Sequence, residues 1–67
     1  MKLTLKAARI NAGLTQSEAA QKLGIEPGTL SSYERGKHFP NVPVIKKIED
    51  LYGVPFGDLI FSDEGTV

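Results

Sequence analysis

The sequence predicts an all-α fold, a compact bundle of about five short helices. Apolar residues recur at the three- and four-residue spacing of a helix, as Leu5, Ala8 and Ala12 do near the amino end. Glycine and proline residues interrupt this pattern at points where helices usually end or begin. No segment shows a convincing strand pattern, so we expect helices and loops only.

The composition limits how such a fold can be stabilised. The chain has 67 residues and no cysteine, so a disulfide or a thiolate zinc site cannot support its modest core. No apolar run approaches the ~18 residues of a membrane span. The amino end lacks the apolar core and cleavage site of a signal peptide. We therefore expect a cytoplasmic protein with no membrane partner.

The charges are unevenly distributed along the chain. Residues 1–47 hold eight basic and three acidic residues, a net charge of +5, whereas residues 48–67 hold five acidic residues and no basic one. This asymmetry favours one basic face and one acidic end, as in a protein that binds nucleic acid. The alternative is that these charges only keep a small domain in solution.

The first two helices have clear boundaries. Thr4 is a candidate N-cap of a helix that runs to about Ala12, preceded by a frayed start, and Gly13 is suited to end it. Thr15 is the N-cap of the next helix. Glu18 lies three residues later, which predicts a capping box.

Residues 16–35 form the segment around which the chain is organised. A helix is followed by a three-residue turn at residues 24–26 and by a second helix from Pro27 to about Arg35. This length is typical of a DNA-binding helix-turn-helix. Gly24 permits the left-handed turn between the helices. The apolar residues that would fix the angle between them are Leu23, Ile25, Leu30 and Tyr33.

The remainder of the chain predicts two more helices and a tail. Asn41 is the candidate cap of a fourth helix that ends at Gly53. A short fifth helix begins at Pro55. The predicted domain therefore spans residues 1–61, followed by a flexible acidic tail at residues 62–67.

Several short segments occur together in a characteristic order. They are Leu5 and Arg9, Gly13-Leu14-Thr15-Gln16, Ala20 with Leu23-Gly24-Ile25, Thr29-Leu30-Ser31, Tyr33-Glu34-Arg35-Gly36-Lys37, Pro40, and Leu51-Tyr52-Gly53-Val54. In this order and spacing they resemble the Cro/repressor-type helix-turn-helix family, also called lambda-repressor-like or XRE-type, over residues 5–60. The small phage Cro-like proteins are the most similar in size. The resemblance implies a five-helix bundle that binds operator DNA as a dimer.

The resemblance also implies which residues contact DNA, with the second motif helix in the major groove. The candidate contacts are Gln16, Pro27, Gly28, Thr29, Ser31, Ser32, Lys37, His38 and Asn41. Related proteins often carry Gln, Arg or Asn where this helix has short side chains. We therefore expect specificity from Ser31 and Ser32, from apolar contact of Thr29 or Pro27 with thymine methyl groups, and from DNA shape.

In the family, residues matching Arg9 and Glu34 form a partly buried ion pair, and we carry that pair over to this chain. A lone charge on an apolar helix face would cost several kcal/mol, so Arg9 needs a partner. The alternative is that Arg9 extends along the surface and reaches solvent.

These observations favour a transcriptional regulator over other classes of function. We expect a repressor that binds a near-palindromic operator as a homodimer, through an interface of Phe56, Leu59, Ile60 and Phe61. Leu59 and Ile60 could instead close the monomer core. A protein-interaction module with the same fold and no DNA binding is the alternative function.

An enzyme is not expected from this sequence. His38 is the single histidine, and no cysteine or second histidine could complete a usual zinc site with it. No base lies at a defined spacing from Ser31 or Ser32, and no phosphate-binding loop is present. We therefore expect no metal, no cofactor and no small-molecule substrate.

Overall fold

The structure is a computed structural model, and it describes residues 2–62. These residues form four α-helices and a pair of very short strands. Met1 and residues 63–67 lie outside this range, and so does nearly all of the predicted acidic tail. The elements in chain order are β1 (Leu3–Thr4), α1 (Leu5–Asn11), α2 (Gln16–Leu23), α3 (Pro27–Glu34), α4 (Val42–Tyr52), a 3-10 turn (Phe56–Asp58) and β2 (Leu59–Ile60).

Two predictions about the fold were wrong: the fifth helix and the absence of strands. Only Phe56–Asp58 forms a helical turn, of the 3-10 type, and the chain then becomes extended at Leu59 (φ −98°, ψ 136°). β2 pairs in parallel with β1, with Leu3 opposite Leu59 and Thr4 opposite Ile60. The amino end is therefore held in place at Leu3, where we had expected fraying. Two-residue strands are too short to show the alternation from which a strand is predicted.

The predicted helix starts are confirmed. The Thr4 hydroxyl accepts a hydrogen bond from the Ala7 N–H at 3.1 Å. Thr15 and Glu18 form the complete capping box, since each side chain accepts from the backbone N–H of the other, at 3.1 and 2.8 Å. The backbone hydrogen bond from Thr15 lowers the pKa of the Glu18 carboxyl. Asn41 caps α4 by accepting from Val44 at 3.1 Å.

The turn between α2 and α3 depends on Gly24. Its φ of 74° lies in the left-handed region, where a side chain would be strained. The Ile25 N–H returns to the Ala20 carbonyl at 3.0 Å, which satisfies the end of α2. Pro27 then supplies the first residue of α3, where its missing N–H costs nothing.

All four helices and β2 contribute to one core. Small side chains at Ala19 and Ala20 let α2 and α3 approach closely, and Ala12 is exposed at the end of α1 although it was predicted on the inner face. The core residues are Leu5, Ala8, Ala19, Ala20, Leu23, Leu30, Ile48, Tyr52 and Leu59.

Two charged side chains are buried beside this core and face each other. Arg9 Nε donates to Glu34 Oε2 at 2.7 Å, with side chains only 10% and 6% exposed. A terminal nitrogen of Arg9 also donates to the Leu14 carbonyl at 3.0 Å, and Gln16 Nε2 donates to Glu34 Oε1 at 3.2 Å. This network joins α1, the turn after it, the start of α2 and the end of α3.

Tyr52 lies near the same pair and is the polar exception in the core. Its ring is buried, and its hydroxyl has no hydrogen-bond partner among residues 2–62. Burial raises the pKa of Tyr52 to about 12; the Glu34 carboxylate adds to the rise and Arg9 opposes it. The folded protein therefore retains this proton well above the pH at which an unfolded tyrosine releases it.

We expect Arg9→Ala and Glu34→Ala each to lower the free energy of unfolding by about 3–5 kcal/mol, because each leaves a buried charge unpaired. In a domain of this size the melting temperature should fall by about 12 °C or more, measured by circular dichroism. The matched control is Arg35→Ala, which removes an exposed arginine next to Glu34. Both buried-site variants melting like the control would show that the pair contributes nothing.

We expect Tyr52→Phe to raise the free energy of unfolding by about 1 kcal/mol at neutral pH, because it removes a buried hydroxyl without a partner. The wild type should also lose stability as the pH rises from about 10, where the unfolded tyrosine ionises, towards 12, its folded pKa. The variant should lack this part of the loss. Denaturant titrations at several pH values compare the two, and equal alkaline profiles would contradict the assignment.

Candidate nucleic-acid interface

The outward face of α3 carries only short side chains. Leu30 points into the core, and Gly28 and Ser32, two residues before and after it, lie on the opposite side of α3 with Ser31 beside them. Pro27, which we predicted on the same face, is three residues before Leu30 and lies at the exposed start of the helix. Pro27 and Gly28 are exposed, and the two serines are half-buried. A Cβ added at Gly28 would meet no atom within 4 Å, so packing within the chain does not require glycine there. This face allows a close approach and offers hydroxyl groups, with no long donor.

Gln16, predicted to contact a phosphate, is the first residue of α2 and is half-buried. Its side-chain nitrogen is bonded to Glu34, so the buried ion pair fixes the position of its amide. The backbone N–H groups of the first helical turn lie beside it, and such groups suit an anion. The side chain of Gln16, which we predicted to contact DNA, is therefore ordered in the free protein.

The loop after α3 brings the other predicted contacts near this helix. Lys37 and His38 are exposed, and the Lys37 N–H donates to the Ser32 carbonyl at 2.9 Å. Asn41 is exposed as well, although one atom of its amide is used to cap α4. The hydrogen bond from Lys37 joins the loop to α3 and holds the Lys37 backbone near that helix.

Two further cations were missed by the sequence analysis. Lys6 and Arg35 line a cleft of about 350 Å³ together with Gln16 and Ser31, above the buried ion pair. Both are exposed. Their positions give a signal in retrospect, since Lys6 lies three residues before Arg9 on α1 and Arg35 follows Glu34 directly. The cleft therefore places two cations, Lys6 and Arg35, close to Ser31 on α3.

A second cleft, of about 630 Å³, runs between α3 and the loop that follows it. Its lining residues are Glu26, Gly28, Thr29, Ser32, Tyr33, His38 and Phe39. Gly28, Thr29 and Ser32 had been predicted as DNA contacts on α3, and His38 as a contact from the loop. Phe39 had no assigned role, because an isolated aromatic residue in a loop gives no periodic signal. The structure thus places an exposed ring next to the candidate base-contacting residues.

Phe39, Phe56 and Phe61 form an aromatic trio at one edge of the domain. Ring centroids lie 4.9 Å apart for Phe39 and Phe61, 5.7 Å for Phe56 and Phe61, and 6.1 Å for Phe39 and Phe56. Phe39 is 60% exposed and Phe56 43% exposed. An apolar surface of this kind often marks an interaction site.

The predicted dimer interface is reduced by one residue in the structure. Leu59 is only 8% exposed and belongs to the monomer core, because its backbone pairs with Leu3 in the strand pair. Ile60 and Phe61 are half-buried, and Phe56 is exposed. The part of the predicted surface that remains accessible is Phe56 with the outer parts of Ile60 and Phe61.

The part of the chain that the structure describes offers neither a metal cluster nor a membrane-spanning helix. Across residues 2–62, no group of three His, Cys, Asp or Glu side chains could hold a metal ion. Within the same range, no helix combines the length and the apolar character needed to cross a membrane.

Comparison with known proteins supports the reading of the motif. The family model described as "Helix-turn-helix" (HTH_3) matches residues 5–59. The chain is 45% identical over 60 residues to the HTH-type transcriptional regulator ImmR of Bacillus subtilis, covering 90% of this chain and 47% of that protein. It is 29% identical over 63 residues to the cryptic phage CTXphi transcriptional repressor RstR of Vibrio cholerae, covering 94% and 57%. No solved structure matches significantly.

A third relative has nearly the same length as this chain. It is an uncharacterized HTH-type transcriptional regulator of Methanocaldococcus jannaschii, 37% identical over 65 residues, with 96% of this chain and 98% of that protein covered. By contrast, the chain spans about half the length of ImmR and RstR. The family match covers α1 to α4, which include the two motif helices α2 and α3. On this evidence the chain belongs to the helix-turn-helix family of transcription-regulator domains.

Proposed function

We propose that this protein is a transcriptional regulator that binds double-stranded operator DNA, with α3 in the major groove. A phage- or prophage-type repressor is the closest description, and a relative named as a phage repressor supports it. The observation that carries the proposal is the outward face of α3, which has short side chains and exposed cations near it: Lys6 and Arg35 line the cleft beside Gln16 and Ser31, and Lys37 lies in the loop bonded to α3. Cations near a shallow face fit a groove between two phosphate backbones.

Positioning on the duplex is assigned to residues outside the groove. Lys37 and Asn41 would contact phosphates from the loop after α3, and Gln16 with Lys6 and Arg35 would do so from the cleft beside Ser31. Because the buried ion pair orders Gln16, little conformational freedom is lost there on binding. Ser31, Ser32 and Thr29 would read base edges at close range.

The competing function is a protein-interaction module that has the same fold and does not bind DNA. The absence of long polar side chains on the outward face of α3 and the zero net charge of the chain favour it. Titration with random duplex at two salt concentrations separates the two functions. A DNA binder should bind, with an affinity that falls steeply as salt rises, because bound counterions are released. No binding at either salt concentration would support the interaction module.

We expect Lys37→Ala to weaken binding to all duplexes by a similar factor and to reduce the salt slope by about one unit, because one phosphate contact is lost. The measurement is fluorescence anisotropy with several duplexes across a salt series. Lys46→Ala is the matched control, since it removes an exposed lysine from α4. A change in sequence preference with Lys37→Ala would contradict a purely positioning role.

Ser32→Ala should have the opposite effect. It should leave the salt slope unchanged and alter the preference among duplexes, because a hydroxyl that reads a base edge carries sequence information and no charge. Competition between selected and random duplexes measures this preference. If affinity and preference both stay at the wild-type level, Ser32 does not contact a base.

We further propose a C2 homodimer, formed through Phe56 and the accessible parts of Ile60 and Phe61. A two-fold axis would place two copies of α3 about 34 Å apart, one helical turn of DNA, and would require a near-palindromic site. One helix with such short side chains would bind weakly, so a second copy also raises the affinity. The exposed aromatic surface at Phe56 supports this assignment.

Phe56→Ser should shift the free protein and its DNA complex towards one copy per site, because it replaces an exposed ring with a polar group. Sedimentation of the protein alone and with selected duplex gives the number of copies. A wild-type complex that contains one copy on an asymmetric site would exclude the dimer.

A further inference from the structure

Phe39 is an exposed aromatic ring beside the helix that we propose enters the major groove. It is 60% exposed, yet it lines the same cleft as Gly28, Thr29 and Ser32 on α3. Covering an exposed ring removes apolar area from water and so contributes to binding. The cleft therefore suggests that whatever docks on α3 also covers Phe39.

The ring is held in position before any partner arrives. Its centroid lies 4.9 Å from that of Phe61, which packs against the core, and 6.1 Å from that of Phe56 in an edge-to-face arrangement. Contacts of this type favour one orientation of the ring. Phe39 thus packs against two other rings while more than half of its surface stays exposed, and these contacts reduce the freedom that would be lost on binding.

We propose that Phe39 determines specificity by contacting the C5-methyl group of a thymine in the operator. The inference rests on the proposed function. In the major groove the thymine methyl is the apolar feature among the base edges, and phenylalanine is suited to contact it. The outward face of α3 offers hydroxyl groups and no long donor, so an apolar contact from the adjacent loop supplies discrimination that the helix lacks.

A lysine near Phe39 favours DNA over a second copy of this chain. Lys37, two residues before the ring, is exposed, while the carboxylate that lines the cleft is that of Glu26. A two-fold axis at Phe39 would bring the lysines of both copies together, and like charges in an interface disfavour association. Next to a phosphate backbone the Lys37 ammonium group is stabilising.

The test uses duplexes enriched from a random pool by the full wild-type chain. Each thymine of the enriched site is replaced in turn by deoxyuridine, which removes the methyl group and keeps every hydrogen-bonding group. We expect one thymine per half-site at which the wild type loses about fourfold in affinity, the amount expected for one buried carbon group. Phe39→Ala should show no loss at that position.

Three more variants make the result specific. Phe39→Leu keeps an apolar contact and should retain part of the methyl effect. Ile10→Ala removes an equally exposed apolar residue from α1 and should keep the full effect. Phe56→Ala should weaken the dimer and still show the fourfold loss at the same thymine. Circular dichroism confirms that each variant is folded.

The outcomes separate the inference from the proposed function. If the wild type enriches no duplex, the proposed function fails and the inference fails with it. If the wild type enriches a site and Phe39→Ala retains the same deoxyuridine losses, the inference alone is overturned. Loss of the dimer with Phe39→Ala, without any change in the deoxyuridine losses, also overturns it and assigns the ring to contact between copies.

Discussion

The buried pair of Arg9 and Glu34 is the constraint on which the rest of the structure depends. Its 2.7 Å contact joins the first helix to the end of α3, and its remaining hydrogen bonds reach the Leu14 carbonyl and Gln16. Three consecutive segments, α1, the turn after it and the start of α2, thus share one set of polar contacts with the end of α3. A pair this deeply buried is stabilising only when all its hydrogen-bonding groups are satisfied, which fixes the relative positions of those segments.

This arrangement gives the candidate interface its order. Gln16 and the first turn of α2 are tied to Glu34, and Lys37 is bonded to Ser32 at the end of α3. The outward face of α3 can therefore be poor in long side chains while its flanks stay in fixed positions. For a surface that recognises DNA, fixed phosphate contacts allow short side chains to reach base edges at a defined distance.

Most of the fold was predictable because its signals are local. Thr4, Thr15 and Asn41 cap their helices through hydrogen bonds three residues away, and such caps can be seen in the sequence. What could not be predicted depends on distant contacts. We predicted Leu59 in a helix, but it lies in a strand because Leu3, far away in sequence, pairs with it. The position of Phe39 beside α3 likewise follows from ring contacts with the carboxyl-terminal segment.

The strand pair also joins the two ends of the domain. Because Leu3 pairs with Leu59, all four helices lie inside one loop closed by two residues at each end. Contacts of such long sequence separation slow folding, since the entropy of loop closure must be lost before they form. Phe61, which directly follows β2, lies against Gly36 after α3: a Cβ there would meet the Phe61 carbonyl oxygen at 3.0 Å. Loss of the strand pair would thus loosen the contact at the end of α3, so the order of this helix depends on Leu3 and Leu59.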